Sequence, residues 1–211
     1  MKRVFFLALL VATVLGLPQS ADADTIKLTG VGNQSFNGYA AGPYTALLNN
    51  QPITMVCVSF DRHVTIGQQW TATVNTITEE GIANALYQNQ ADALNKYRQA
   101  AWLYAQMLTN PSNQGAIQGA IWNIFNSNLT PDTTNSNLWL GLAQQQLSVG
   151  FNGFDFSRFR ILTPSVTGLN GPQENITMLP VPEPTSLLLL GSGMAAIATR
   201  LRRRRQREGN A

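Results

Sequence analysis

Two reactive side chains are unique in this sequence: Cys57 is its only cysteine and His63 its only histidine. A lone cysteine excludes an internal disulfide, and one Cys with one His excludes a His/Cys zinc site. Three fates remain for the thiol: an inert packed group, an intermolecular disulfide, or a nucleophile. The flanking Met55-Val56 and Val58 are apolar, which suits a packed strand position. A thiol hydrolase needs a base against the sulfur. On a continuing strand, six residues put His63 on the order of 20 Å from Cys57. The two then point the same way without touching, and only a sharp bend would join them. Glu79-Glu80 reads as the acidic first turn of a helix rather than a catalytic pair, and Asp132 as a turn residue after Thr130-Pro131. No phosphate loop, calcium loop, metal cluster or hydrolase triad is present to imply a cofactor.

The elements that must position Cys57 follow from periodicity. Ile26-Lys27-Leu28, residues 55–60 and Trp70-Thr71-Ala72-Thr73-Val74 are β-branched or aromatic. Turn signals at Gly30, Gly32, Asn37-Gly38, Gly42-Pro43 and Asn49-Asn50 separate them. Residues 79–108 change to helical spacing through Ile82, Ala85, Tyr97, Ala101, Tyr104 and Leu108, with Thr78 as cap and a break near Asn89 and Gln90. A second helix is predicted at 114–125, capped by Ser112 or Asn113. A third, at 135–149, has Leu138, Leu142 and Leu147 as its buried side. Phe159-Arg160-Ile161-Leu162 and Ile176-Thr177-Met178-Leu179 return to extended runs. Strands, then helices, then strands predict an α+β domain: a mostly antiparallel sheet with a helical cluster inserted or packed on it.

Charge sits at the ends. Of 14 basic and 11 acidic residues, two basic ones (Lys2, Arg3) are N-terminal and six (Arg200, Arg202, Arg203, Arg204, Arg205, Arg207) are C-terminal. Residues 24–184 keep six basic against nine acidic residues, a balance of −3. No basic stripe remains for phosphates, so nucleic acid is not an expected partner. The basic head, the apolar run 4–17 and Ala21-Asp22-Ala23 form a secretory signal peptide over 1–23. A second apolar run, 185–199, spans about 22 Å as a helix, short of the roughly 30 Å hydrocarbon core. Arginines able to snorkel extend it, and their cluster holds that end in the cytoplasm as a membrane anchor.

Pro182-Glu183-Pro184, the apolar run with Leu187-Leu188-Leu189-Leu190-Gly191, and the Arg-rich end, in that order over 181–207, resemble the PEP-CTERM sorting signal. The resemblance implies an exosortase-type processing enzyme and a Gram-negative-type envelope. It also implies a destination at the outer surface or in an extracellular (biofilm) matrix, after initial anchoring in the inner membrane.

The body, 24–180, carries a second resemblance. Cys57-Val58-Ser59-Phe60-Asp61 and Gln118-Gly119-Ala120-Ile121-Trp122 resemble the two halves of bacterial surface thioester domains, where a strand Cys joins the Gln of a Thr-Gln-x-Ala-(Ile/Val)-Trp motif. Ile117 stands where that family has Thr, and Asp61 is offset by one from its usual acidic position. The resemblance implies a Cys57–Gln118 thioester that acylates nucleophiles on a target protein or polysaccharide, with Asp61, Gly119 and Trp122 in support. Gln114, one turn earlier on the same face, is the rival acyl donor.

Attack of the thiol on the amide requires contact distance and a stabilised oxyanion. Free N–H groups at a helix N-terminus suit that charge, Gly119 permits close backbone approach, and Trp122 shields the bond from water. Asp61 assists proton transfer or pairs with Arg62 or Arg98. Three functions are therefore carried forward: a covalent adhesin, which is not an enzyme; a structural matrix protein of the same fold with an inert Cys57; and a secreted thiol hydrolase using His63.

Overall fold

The computed structural model describes residues 23–129, 134–168 and 170–179. The expected signal peptide, but for its last residue, the expected C-terminal anchor and Asp132 lie outside them. Eight strands form: β1 (Asp24–Gly30), β2 (Ser35–Phe36), β3 (Tyr39–Ala40), β4 (Tyr44–Leu48), β5 (Gln51–Cys57), β6 (Gln69–Thr76), β7 (Phe159–Pro164) and β8 (Asn175–Met178). Between β6 and β7 come helices α1 (Glu79–Ile82), α2 (Ala93–Thr109), α3 (Gln114–Phe125) and α4 (Thr134–Ser148). Six strands close an antiparallel barrel in the order β1-β4-β5-β8-β7-β6, and β2 with β3 makes a separate hairpin. This is the expected α+β class, with the helices inserted into the sheet.

Alternation of side chains builds the barrel. Ile26 and Leu28 of β1, Tyr44 and Ala46 of β4, Met55 and Cys57 of β5, and Trp70 and Ala72 of β6 share one buried cluster with Leu162. The opposite faces, with Val56, Ile161 and Ile176, pack against α2 and α3 in a second cluster around Tyr97, Tyr104, Met107 and Ile121. Two-residue turns fix the strand registers. Asn37 and Gly38 (φ 51° and 82°) join β2 to β3, and Asn49 and Asn50 (φ 50° and 66°) join β4 to β5.

Several expectations need correction. β5 ends at Cys57 rather than Phe60, and the turn signals around 35–48 conceal three strands, β2, β3 and β4. The break expected near Asn89 and Gln90 is present but wider, with turns over 83–92 separating a one-turn α1 from α2. That stretch spends backbone donors elsewhere: Leu86 N–H reaches Glu174 (2.8 Å) and Tyr87 N–H reaches the Tyr97 hydroxyl (3.2 Å). Bonds to partners so distant in sequence are invisible to local periodicity. In α4, Leu138 is 58% exposed and Leu142 and Leu147 are half-buried, while Ser136 and Ala143 are buried and Trp139 and Leu140 partly so. Small Ala143 lets α4 come close to α2 and α3, which turns Leu138 outward.

Candidate functional site

Cys57 closes β5 with its side chain inside the barrel, fully buried. Its thiol donates to the Ser59 carbonyl (3.2 Å) and receives the Trp122 indole N–H (3.5 Å). Burial pushes the Cys57 thiol up to about 12, although the Trp122 and Ser59 hydrogen bonds pull it down. The sulfur is therefore a neutral S–H at physiological pH.

Gln118 comes to the same place from α3 and is also fully buried. Its Nε2 donates to the Cys57 carbonyl (2.8 Å), and its Oε1 accepts the Gly42 N–H (3.0 Å). Three backbone positions thus converge on one carboxamide: the strand end bearing the thiol, the helix, and the loop between β3 and β4. Each hydrogen bond contributes about 1 kcal/mol; together they hold one rotamer. Trp122, one turn on, shares that helix face and lies edge-on to Phe36 and Phe60, with ring centroids 5.9 and 5.1 Å away. The pairing of strand Cys with helix Gln read from sequence is spatially close. Gln114 instead points its amide at the Met107 carbonyl (3.4 Å).

Two supporting roles change. Gln118 is the fifth residue of α3, beyond the four free N–H groups of a helix start. The donor on its oxygen is Gly42, which the sequence marked only as part of a Gly-Pro turn. A Cβ on Gly42 would stand 3.1 Å from that oxygen, 3.3 Å from Val56 Cγ2 and 3.4 Å from Met107 Sδ. Glycine fits this three-sided approach. Gly119 admits a ring rather than backbone: its Cβ would fall 2.3 Å from Phe36 Cε2. Gly115, one turn earlier, admits the Ser35 carbonyl in the same way, at 2.5 Å. The two glycines therefore seat the β2–β3 hairpin on α3.

Asp61 is exposed and accepts the Tyr87 hydroxyl (3.4 Å). Arg62 donates to the Thr167 and Gly168 carbonyls and Arg98 lies over the Phe156 ring, so the expected pairing of Asp61 with either is not formed. His63 is exposed on the loop after β5, its ring parallel to Tyr39. The hydrogen bonds of the sulfur run to Ser59 and Trp122 rather than to this imidazole.

Glu174 escaped the sequence reading. Fully buried, it receives Tyr97 O–H, Thr163 O–H (2.7 Å) and Leu86 N–H, while its own N–H donates to Ser59 Oγ (3.1 Å). No local signal distinguishes such a residue from a surface glutamate. Among the described residues, no three His, Cys, Asp or Glu side chains gather as a metal site.

Beyond the described residues, 180–204 match the family model of the PEP-CTERM protein-sorting motif. Pro182, Glu183 and Pro184 fall inside that match. This chain carries a PEP-CTERM sorting signal. The signal marks it for export to the cell envelope of a Gram-negative-type bacterium and for handling by an exosortase. Among the described residues no helix is long and apolar enough to cross a membrane. No curated protein matches the chain. Among solved structures it is similar to the N-terminal thioester domain of protein F2 like fibronectin-binding protein from Streptococcus pneumoniae. The identity is 12% and the TM-score 0.43, over 77% of this chain and 95% of that one.

Proposed function

We propose that this exported PEP-CTERM chain is a covalent adhesin of the outer surface or extracellular matrix, armed with a Cys57–Gln118 thioester. The observation that carries the reading is the seating of the Gln118 carboxamide between the Cys57 carbonyl and the Gly42 N–H, with both side chains fully buried. Cys57 Sγ bonds to the Gln118 carboxamide carbon, the carbon–nitrogen bond breaks, and ammonia leaves with the thiol proton. Gly42 N–H faces the oxygen on which negative charge grows, as an oxyanion donor must. Phe36, Phe60 and Trp122 keep water from the product. A nucleophile on the target then takes the acyl group and returns the thiol. The protein is consumed in one turn, so it is a reagent rather than an enzyme. Cleavage near Pro182-Glu183-Pro184 by the exosortase would release the body from an initial inner-membrane anchor.

A second reading has its own support. The Gln118 carboxamide is already satisfied by two backbone groups, and the thiol, with its value near 12, resists ionisation. In that reading Gln118 is a polar staple between loop, strand and helix, and the protein is a non-enzymatic matrix component. Intact mass of the exported chain separates the two. The thioester predicts loss of one ammonia, restored in Cys57→Ala. Full mass with a thiol that titrates after unfolding supports the staple and overturns the adhesin.

A further inference from the structure

Past Cys57 the chain leaves β5, and its next two residues are held by Glu174, which precedes β8. Val58 N–H donates to the Glu174 carbonyl (3.0 Å), and Ser59 Oγ receives the Glu174 N–H (3.1 Å). The Ser59 carbonyl in turn receives the Cys57 S–H (3.2 Å). Glu174 is itself fixed through its carboxyl, which gathers donors from three separate elements. These are Tyr97 of α2, Leu86 of the turns over 83–92 (2.8 Å) and Thr163 of β7 (2.7 Å). Asn75 of β6 donates to the Thr163 hydroxyl oxygen (3.1 Å), which leaves the threonine proton for Glu174. Cys57, Ser59 and Glu174 are all fully buried. An unbroken run of hydrogen bonds and backbone therefore joins the carboxyl to the thiol hydrogen.

We propose that Glu174 is a positioning residue for thioester closure, acting through Ser59 to aim the Cys57 sulfur. The inference rests on the thioester reading above. A thiol sulfur carries one hydrogen and two lone pairs. Ser59 takes the hydrogen and the Trp122 indole N–H takes one lone pair, so the other remains for the Gln118 carboxamide carbon. Rotation about the Cβ–Sγ bond spoils that arrangement, and bond formation needs the reacting orbitals aligned at contact. Ser59 lies beyond the end of β5, where no ladder holds it. The carboxyl, tied to three elements, fixes the backbone of residue 174, and that backbone fixes Ser59. Opening makes a different demand. In the closed form the sulfur bears no hydrogen, and a strong nucleophile attacks the acyl carbon directly.

The test times both directions on the exported chain. Ammonia opens the thioester to the Gln118 amide and the thiol. After it is washed out, intact mass follows the renewed loss of one ammonia. Glu174→Gln and Ser59→Ala are each expected to slow closure roughly 10-fold. Opening of the closed form by hydroxylamine should keep its wild-type rate in both. The double variant should close no more slowly than the slower single variant, because both act on one link. In a Gln118→Met background the thiol persists, and the S–H stretching band has a single source in the only cysteine. That band should move to higher frequency in both variants as the bond to Ser59 weakens.

Wild-type closure in Glu174→Gln overturns the proposal. Equal slowing of closure and opening overturns it too, since that marks a disturbed site. Slowing that multiplies in the double variant marks independent actions and does the same, as does an unmoved S–H band. Should Glu174→Gln not fold, Ser59→Ala carries the test, and wild-type closure or an unmoved band there overturns the link. A wild-type chain that retains its ammonia and captures no hydroxylamine overturns the thioester reading, and this role with it.

Discussion

Glu174 shows how one buried titratable residue ties the site to the fold. Its carboxyl is raised above the usual range by burial, against hydrogen bonds from Tyr97, Leu86 and Thr163 that lower it. The folded protein thus holds this proton more tightly than the unfolded chain. The associated stability is fully present below the ordinary glutamate value of about 4.3 and is lost as pH rises through the raised folded value. Glu174→Gln should flatten that fall in thermal unfolding measured across pH. It should also cost about 1–3 kcal/mol at the acid end, because an amide cannot accept all three donors. A variant that keeps the wild-type slope would place the titration on another group. Cys57 and Gln118 were legible because their types are rare or their motif is specific. Glu174 and Gly42 were not, since Gly42 acts on Gln118, 76 residues away, and Glu174 gathers Leu86 and Tyr97 from 88 and 77 residues away.

At the scale of elements, α3 is the pivot. Its boundaries at 114–125 follow from spacing and from the preceding Pro111, and so does the face shared by Gln118 and Trp122, but the face that meets the hairpin does not. One presents Gln118 and Trp122 to β5, while the other presents Gly115 and Gly119 to the β2–β3 hairpin. Gly119→Ala should force a Cβ into the Phe36 ring and destabilise the protein by about 1–3 kcal/mol, read as a lower denaturant midpoint. Adding Phe36→Leu should recover part of that loss. If the double variant is no better than Gly119→Ala alone, the hairpin contact is not what requires glycine. The hairpin strands are two residues each, too short for alternation to register, and their only sequence trace is Asn37-Gly38.

For the whole molecule, the sorting signal and the barrel make separate demands. Replacing Pro182, Glu183 and Pro184 together by alanine leaves residues 24–179 untouched, so folding and any thioester should persist while exosortase processing stops. Cell fractionation should then find the chain retained with the inner membrane, its mass including the C-terminal tail. Unchanged release of the variant would remove these residues from the recognition step.

Export and sorting were fixed by linear order alone, because translocation machinery and processing enzymes read contiguous runs of charge, apolar length and a tripeptide. The α+β class was equally readable, since side-chain period follows backbone geometry. Closure of six strands into a barrel was decided only in three dimensions, as were the Gly42 N–H on the Gln118 oxygen, the hairpin over Gly119 and the imidazole parallel to Tyr39. Each depends on which surfaces exclude water together, and a one-dimensional pattern does not encode that choice of neighbours.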